Sequence, residues 1–543
     1  MEINRLLLTQ NKRWIIGSVL IAIILLLPIF TLIRELFLVQ DTSFNYLWEN
    51  LLFDYTYNTF YLIILTSFFS LIFGIVPAFI ISNYKFPGRN ILDIVLYLPL
   101  AIPTYIMAFT YSDMLSYTGP IQSFFRENIP IIAKILNIDY LQIEVLGLIM
   151  ALSLYPYIYT VSRVSFSLMG SNYINLSKNL GLSSIQSFFK IIIPLSRPAI
   201  FSGLFLVLME VLNEYGAVKY FGVNTYTSGI FRSWFSMGDV GSALQLAFIL
   251  LSVVFFLFYL EKNYNSKTKF YYSTNSSSQK LSILSGKKNI YGISICMMPF
   301  LLGFFFPFLF IMDNVFSSID SINFNNLMEL TINSISVSTI SAFLVVVLAL
   351  FFLMVEKYSK NKLNSIISQS ISLGYAIPGA VIGLSLIILF SSIDDVLNNY
   401  PNVVSISFMG SFIVLIYAYV IRFLAVGKSP IKSSLEKHPE SYDETAKNLG
   451  LGPFKLFKKI HFPINKLALV IAFIVTFIDV LKELPITLIL RPFNFDTLAT
   501  QTFEYAIEEM IPLSAIYSMM IIIIGSILLI ILKNIVNRQI NVS

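Results

Sequence analysis

The chain has 543 residues, of which 56% are hydrophobic and only 12% are charged, and its mean hydropathy is +0.77. A soluble domain carries about 25% charged residues, so this composition excludes a water-soluble globular protein and favours a polytopic membrane protein. The single cysteine, Cys296, excludes an intrachain disulfide. The two histidines, His438 and His461, lie in polar stretches, so no soft-metal site is expected within the membrane.

The first apolar run, at residues 14–33, follows the basic residues Arg5, Lys12 and Arg13. It is about 20 residues long, whereas a secretory signal peptide has an apolar core of ~7–15 residues and a small-residue cleavage site. The run therefore predicts a retained transmembrane helix. With eleven further runs long enough to cross a bilayer, it gives twelve predicted spans, near residues 14–33, 58–81, 91–112, 143–162, 198–221, 242–260, 291–312, 333–355, 366–390, 404–424, 467–490 and 515–532.

Lysine and arginine residues are distributed unevenly between the predicted loops. With the N-terminus in the cytoplasm, the segments on that side hold 29 basic residues and the external loops hold six. Cytoplasmic loops of membrane proteins carry the excess of basic residues. The distribution predicts a multi-pass membrane protein with both termini in the cytoplasm.

Two parts of the chain repeat one another. KNLGL at 178–182 recurs at 447–451, an offset of 269, and ten of the 23 positions that start there are identical. AIP at 101–103 recurs at 376–378, an offset of 275. The repeat predicts an all-α transmembrane fold of two tandem six-helix bundles.

The predicted boundaries of this organisation are a first domain at 1–262, a flexible cytoplasmic linker at 263–290 and a second domain at 291–543. Because six is an even number of spans, both bundles enter the membrane in the same orientation. We expect a pseudo-twofold axis along the membrane normal to relate them.

The longest cytoplasmic loop of each half lies between its fourth and fifth predicted spans. In the second half, residues 440–449 have a helical pattern, and Gly450 suits the left-handed stop of that helix. Pro453 suits the first turn of a second helix that runs to about His461. The pattern predicts a short helix, a glycine turn and a second helix that continues into the next span.

The same pattern recurs in the first half. Gly181 is predicted to end the first helix, and Ser183 with Gln186 forms a capping-box pattern for the second.

The stretch from Glu444 to Pro463 resembles the EAA loop of permeases of binding-protein-dependent ABC importers, and both halves and the number of spans share the resemblance. It implies a type I importer fold and a coupling helix in each loop that docks on a cytoplasmic ABC ATPase. It also implies two copies of that ATPase, an external solute-binding protein and no nucleic-acid partner. A loop that only lies on the membrane surface would not need the same glycine and proline offsets twice. The residues implied in coupling are Asn175, Ser177, Gly181, Pro194, Glu444, Ala446, Gly450 and Pro463.

The first copy departs from the family pattern at two positions. Asn175 stands where the second copy has Glu444, and Ser177 stands where the second copy has Ala446. The acid is expected to meet a basic partner on the ATPase, so we expect unequal coupling through the two loops.

The tripeptide GKS at 427–429 does not predict a phosphate-binding loop. Such a loop has a glycine five residues before Gly427 and follows a strand, whereas this chain has Arg422 there, in a predicted span. The sequence therefore predicts a permease component that has no catalytic residues and binds no cofactor. ATP hydrolysis is expected on a separate subunit.

The fifth predicted span of each half carries two acids at matched positions: Glu210 and Glu214 in the first half, and Asp479 and Glu483, with Lys482 nearby, in the second. A charge near the bilayer centre costs about 2.5–3.5 kcal/mol on insertion scales. A spacing of four predicts that both acids of a pair share one helix face, and Lys482 is placed to neutralise Asp479. Two interpretations stay open: a cation pathway or gate between the bundles, and polar side chains that hold the bundles together.

The segments around these acids, EYGAVKYFGVNTYTSGIFRSWF at 214–235 and KELPITLILRPFNFDTLAT at 482–500, resemble the fused permeases of ferric-iron importers. The resemblance implies import of ferric iron that a periplasmic binding protein delivers. Permeases for thiamine and aminophosphonate share much of the architecture, so another small solute is the alternative. An ion-coupled secondary transporter rarely bears matched cytoplasmic helices, and a scaffold without transport leaves the duplicated acids unexplained.

Overall fold

A computed structural model describes residues 2–38, 44–131, 134, 138–179, 181–266, 281–359, 362–398, 407–439, 441–449 and 451–542. These residues are almost entirely helical because long apolar runs in a bilayer must satisfy their backbone polar groups within the segment. In chain order the α-helices are α1 Glu2–Leu38, α2 Phe44–Asn50, α3 Leu52–Asn83, α4 Arg89–Val95, α5 Thr104–Leu115, α6 Pro120–Asn128, α7 Ile143–Asn179, α8 Ser184–Ser187, α9 Ile193–Asn213, α10 Gly216–Tyr220, α11 Tyr226–Phe231, α12 Val240–Ser266, α13 Lys287–Phe300, α14 Phe306–Ser318, α15 Phe324–Ser359, α16 Lys362–Ser370, α17 Gly379–Asn398, α18 Phe412–Leu435, α19 Ser441–Asn448, α20 Pro453–Leu456, α21 Phe462–Leu481, α22 Pro485–Leu490, α23 Leu498–Ile507 and α24 Ile511–Val542.

Shorter elements join these helices. In the described segments, 3-10 turns lie at Leu98–Ala101, Ile319–Ser321 and Ile371–Ala376, and π-helical turns lie at Phe188–Ile192, Arg232–Ser236, Leu301–Phe305 and Phe457–His461. The strands β1 Tyr84–Lys85 and β2 Ser282–Ile283 pair in parallel, with Tyr84 opposite Ser282.

Within the described residues, eleven helices are long and apolar enough to cross a membrane. A twelfth span is formed by Arg89–Ala101 with Thr104–Asn128, a pair bent by 92°. The prediction of twelve spans is confirmed when this pair counts as one.

The third span is not the continuous helix that was predicted over 91–112. The backbone is extended at Ile102, directly before Pro103, and α5 begins after that proline. The second half repeats the break, because Ile377 is extended before Pro378 and α17 begins at Gly379. Proline lacks an N–H and pushes the preceding residue out of the helical region. The repeated AIP motif therefore marks a helix break in each half.

The chain forms two compact units that interleave in the sequence. Unit 1 contains Met1–Asp41, Phe324–Thr500 and Ile531–Ser543, and unit 2 contains Thr42–Asn323 and Gln501–Ile530. In unit 1, α1 packs on helices of the second sequence half, and the ring centroids of Trp14 and Phe351 lie 5.9 Å apart. In unit 2, α14 packs on α5 of the first sequence half, and the Tyr111 hydroxyl donates to the Leu302 carbonyl nearby. The spatial units thus cut across the predicted sequence domains.

Residues 267–280 of the predicted linker lie outside the described residues. Where the chain is described again, the Leu284 N–H donates to the Lys85 carbonyl, 3.1 Å away, beside the paired strands. The end of the linker is therefore docked against the segment that follows α3.

Candidate coupling loops and buried acids

The second loop is a helix, a turn and a second helix. Helix α19 ends at Asn448, the Leu451 N–H donates to the Ala446 carbonyl at 3.1 Å, and α20 begins at Pro453. A bond that spans five residues in this way closes the end of a helix before a left-handed turn. The predicted helix–turn–helix is confirmed over the described residues, and Gly450, the predicted turn residue, lies outside them.

The first loop closes with the same bond. The Leu182 N–H donates to the Ser177 carbonyl at 3.0 Å, and Gly181 has a φ of +73°. A side chain in this left-handed conformation costs roughly 1–2 kcal/mol, so glycine is the residue that suits the turn. The predicted role of Gly181 is confirmed.

The predicted capping box of the first loop is also confirmed. The Ser183 N–H donates to Gln186 Oε1 at 3.0 Å, and the Gln186 N–H donates to Ser183 Oγ at 3.3 Å. These reciprocal bonds satisfy two backbone donors that a helix start otherwise leaves without partners.

The helices that lead into the two loops differ. Helix α7 continues unbroken to Asn179, whereas α18 ends at Leu435 and α19 begins at Ser441. At the 269 offset, Pro439 of the second half is matched by Gly170 of the first. Proline removes the bond to the residue four positions earlier, here Leu435, and clashes with its carbonyl. One substitution thus accounts for the separate coupling helix of the second loop.

Each loop joins the fifth span through a π-helical turn, at Phe188–Ile192 and at Phe457–His461. The repeated prolines, Pro194 and Pro463, stand in the first turn of the helix that follows. A π turn widens the helix by one residue and so accommodates a proline that cannot donate a hydrogen bond. The chain remains helical from the loop into the membrane, which suits the transmission of a displacement.

A charged cluster ties the second coupling helix to its unit. Asp443 Oδ2 lies 2.9 Å from Lys357 Nζ, at the end of α15, and Asp443 Oδ1 lies 2.8 Å from His461 Nε2, in the π turn. Asp443 and His461 are both buried. Because the Lys357 ion pair and the close His461 contact come from two different elements, α19 is held to the ends of two spans at once.

The first loop uses neutral groups at the corresponding place. The Ser187 hydroxyl donates to Ser177 Oγ at 2.8 Å, and both residues are buried. The residues matched to His461 and Lys357 are Ile192 and Ser82. Among the described side chains of the first loop, this attachment is a hydrogen bond between two neutral hydroxyls.

Each loop presents side chains outward. Glu444 is exposed and Leu449 is 75% exposed on the second loop, and Ile185 is 71% exposed on the first. Ala446 and Ser177, at matched positions, are each 1% exposed and pack inward. The side chain of Asn175 lies outside the described residues. Exposed apolar groups beside an acid are the pattern of a protein-docking surface.

The buried acids occupy a different geometry from the one predicted. Helix α9 ends at Asn213 and α21 ends at Leu481, so Glu214 and Glu483 lie beyond the helix ends. The predicted span over 198–221 is too long, and the prediction that both acids of a pair share one helix face is wrong. In sequence, Glu214 and Glu483 precede a second short helix, which the apolar pattern concealed.

Glu214 and Glu483 cap the short helices that follow them, α10 and α22. The Ala217 N–H donates to Glu214 Oε1 at 2.9 Å, and the Ile486 N–H donates to Glu483 Oε1 at 3.2 Å. A carboxylate at a helix N-terminus satisfies backbone donors and interacts favourably with the helix dipole. The duplicated glutamates therefore have a structural role in both halves.

The other oxygens of these carboxylates meet different partners. The Thr104 hydroxyl donates to Glu214, whereas Arg422 Nε lies 3.5 Å from Glu483 Oε2. Arg422 is 2% exposed and also donates through Nη1 to the Ile377 carbonyl at 3.0 Å. A buried arginine therefore joins the AIP break of the second half to its capping acid.

The matched position in the first half holds Ser153, whose hydroxyl donates to the Ile102 carbonyl at 2.8 Å. The same carbonyl of the AIP motif is bound in both halves, by a hydroxyl in one and by a guanidinium in the other. Sequence reasoning missed Ser153 and Arg422 as polar partners. Aligning the fourth spans at the offset of 269 pairs Ser153 with Arg422. That alignment would have identified both residues as polar candidates within apolar spans.

The acids four residues earlier in the chain, Glu210 and Asp479, also have different neighbours in the two halves. Asp479 Oδ1 lies 2.9 Å from Lys482 Nζ, so the predicted neutralisation of Asp479 is confirmed. Glu210 is matched with Asp479, and Asn213 is matched with Lys482. Over the part of the chain that the structure describes, no three His, Cys, Asp or Glu side chains are grouped as a metal-ion site.

Known proteins match this architecture. The family described as "Binding-protein-dependent transport system inner membrane component" matches the chain twice, over residues 70–270 and 346–541. The "Fe(3+)-transport system permease protein FbpB 2" of Haemophilus influenzae is 25% identical over 481 residues, 88% of each chain. The "Sulfate transport system permease protein CysT" of Escherichia coli is 28% identical over 209 residues, 38% of this chain and 72% of that protein. The "Probable sulfate transport system permease protein cysT" of Chlorokybus atmophyticus is 25% identical over 215 residues, 39% and 72% of the two chains.

The two matches cover both repeats, including both glycine turns and all four acids at the ends of the fifth spans. A permease of this kind works in an ABC importer with an ATPase and a solute-binding protein as partners. This chain belongs to the family of binding-protein-dependent transport system inner membrane components and carries the family domain twice in one polypeptide.

Proposed function

We propose that this permease carries ferric iron, which an external binding protein delivers. The observation that carries the proposal is the extent of one match. The Haemophilus iron permease aligns with 88% of this chain, across both halves, whereas the two sulfate permeases described above align with 38% and 39% of it.

The charges at the matched positions support a cationic cargo. In the second half two acids, Asp479 and Glu483, are matched by two bases, Lys482 and Arg422. In the first half the same four positions hold two acids and two neutral residues, so the first set has a formal charge of −2. Ferric iron is a hard cation that prefers oxygen ligands, and the carboxylates at these positions supply oxygen atoms.

The remaining parts of the proposal concern partners and orientation. Two copies of the ATPase dock on the two coupling loops in the cytoplasm, where both termini of the chain also lie. ATP hydrolysis takes place on those subunits, and this chain binds no ATP. The π turns and the anchored coupling helices support a rigid transfer of the ATPase motion into the fifth span of each half.

Uptake by reconstituted vesicles tests the cargo. The permease is reconstituted with its ATPase and its binding protein, and accumulation of radioactive iron and of radioactive sulfate is measured with ATP or with a proton gradient. We expect iron uptake that requires ATP and that excess sulfate does not compete away. Sulfate uptake, or iron uptake driven by the proton gradient alone, would contradict the proposal.

Crosslinking tests the orientation and the ATPase contact. The single native cysteine, Cys296, is buried, so a cysteine introduced at Ile185 or Leu449 is the reactive one. We expect both positions to crosslink to the ATPase and to resist a membrane-impermeant thiol reagent added outside the cell. Labelling from outside at either position would place the loops on the wrong side.

A further inference from the structure

Unit 1 contains an apolar cavity of about 410 Å³ beside the second coupling loop. Ligand pockets in proteins have volumes of about 300–1,000 Å³, so this cavity is of ligand size. Its lining comes from α1, from the end of α15 and from the chain around the second π turn. The principal lining side chains are Trp14, Phe351, Met354, Tyr358, Phe457 and Phe462. Trp14 is 47% exposed and Phe462 is 49% exposed, so the cavity opens at the surface of the helices.

The turn that follows the second coupling helix contributes Phe457 to the cavity wall and is rich in lysine. The Tyr358 hydroxyl is buried and meets no hydrogen-bond partner among the described residues. Lys455, Lys458 and Lys459 are exposed on the turn that contributes Phe457 to the lining. Basic pockets between transmembrane helices on the cytoplasmic side bind anionic lipid headgroups. An apolar cavity next to a turn that carries three exposed lysines matches a lipid with a negative headgroup.

The first half of the chain fills the corresponding space with its own side chains. At the 275 offset Met354 is matched by Phe79, whose ring lies 4.7 Å from that of Phe188 and 6.3 Å from that of Phe166. Phe188 is the residue matched to Phe457 of the cavity wall. The matched π turn of the first half, FFKII, contains one lysine, Lys190. Aromatic rings therefore close in unit 2 the place that a narrower, flexible methionine leaves open in unit 1.

We propose that this cavity binds an anionic phospholipid, with an acyl chain against Met354 and Phe351 and the phosphate at Lys458 and Lys459. The inference goes beyond the transported cargo and holds whether the cargo is iron or another solute. Because α1, α15 and the second π turn all line the cavity, the lipid stabilises the junction between the membrane helices and the second coupling loop.

Native mass spectrometry of the purified permease tests the proposal, with phosphatidylglycerol and phosphatidylcholine titrated separately. We expect the phosphatidylglycerol adduct to survive at lower lipid concentration. The double variant Lys458→Gln, Lys459→Gln is expected to weaken that adduct about 30-fold, because each basic residue near an anionic lipid contributes about 1 kcal/mol. Met354→Phe, which copies the first half, is expected to abolish it.

The repeat supplies the controls. Lys190→Gln and Phe79→Met, at matched positions of the first half, are expected to leave phosphatidylglycerol binding unchanged. Glycerol phosphate without acyl chains is expected not to displace the lipid. Equal binding of both lipids, binding of detergent only, or unchanged binding by the lysine double variant would overturn the proposal. The lysine side chains are exposed, so the double variant tests the idea even where Met354→Phe fails to fold.

Discussion

The two coupling loops share a backbone and differ in the side chains that hold it. Both close with an N–H that donates to the carbonyl five residues earlier, and both continue through a π turn into a proline-started helix. The second loop is held by Asp443 between Lys357 and His461, and the first by Ser177 and Ser187. The two halves therefore share the backbone geometry of the coupling loop and differ in the side-chain contacts that hold the loop to its helices.

The buried polar groups show the same difference. Ser153 and Arg422 bind the same carbonyl of the AIP break in their respective halves. Only the arginine also reaches the capping glutamate of its half, while a threonine hydroxyl meets Glu214 in the other. At these positions the second half uses an arginine where the first uses the hydroxyls of Ser153 and Thr104. Removing one partner should therefore cost more in the second half.

The largest effect is expected for Arg422→Met. The substitution leaves the Glu483 carboxylate buried without its cation, and breaking a buried pair in this way costs about 3–5 kcal/mol. Ser153→Ala, its matched control, loses one hydrogen bond worth about 0.5–1.5 kcal/mol. Thermal unfolding in detergent should show a much larger loss for Arg422→Met, and Glu483→Gln added to it should restore part of the loss. Equal losses of melting temperature for Arg422→Met and Ser153→Ala would contradict the idea that the second half depends more strongly on its charged partner.

A smaller effect is expected for Asp443→Asn. The amide keeps the shape but loses the ion pair with Lys357, and a hydrogen bond to a charged group is worth about 1.5–3 kcal/mol. We expect α19 to loosen, so that fewer solute molecules are transported per ATP hydrolysed, while the ATPase remains active. Ser177→Ala in the first loop is the control and should change that ratio less. An unchanged ratio for Asp443→Asn would show that the charged cluster has no part in coupling.

The turn glycines test the shared backbone. Gly181→Ala forces a Cβ into a left-handed conformation, at a cost of about 1–2 kcal/mol. Gly452→Ala is a suitable control, because Gly452 has no positive φ and a Cβ there meets nothing within 4 Å. Reconstituted uptake should fall for the first variant and not for the second. By its resemblance to Gly181, Gly450→Val is expected to uncouple ATP hydrolysis from uptake, and normal uptake would refute that expectation.

An effect smaller than that of Arg422→Met is expected for Thr104→Val. It removes the hydroxyl that donates to the Glu214 carboxylate, and a hydrogen bond to a charged group is worth about 1.5–3 kcal/mol. The melting temperature in detergent should fall by a few degrees, with uptake retained. A loss as large as that of Arg422→Met would mean that the two capping acids depend equally on their partners.

Much of the fold followed from local patterns. Apolar runs predicted the spans, and glycine, serine and proline predicted the turn at Gly181, the cap at Ser183 and the helix start at Pro453, because each depends on the conformation of a few adjacent residues. The buried acids were placed less well. Their spacing of four predicted one helix face. The apolar pattern continues past the ends of both helices, so it does not indicate where they end, and Glu214 and Glu483 lie just beyond those ends.

The sequence by itself determined that this is a membrane protein, that its two halves repeat one another and that each coupling loop is a helix, a turn and a second helix. Composition, repeated motifs and turn residues are enough for this because they depend on residues close together in the chain. Tertiary structure alone decided that α1 packs with the second half, that Arg422 joins Ile377 to Glu483, and that Met354 leaves a cavity where Phe79 fills one. Those outcomes depend on contacts between residues far apart in the chain. The side-chain volume and charge that meet at such contacts are set by packing, which no local pattern records.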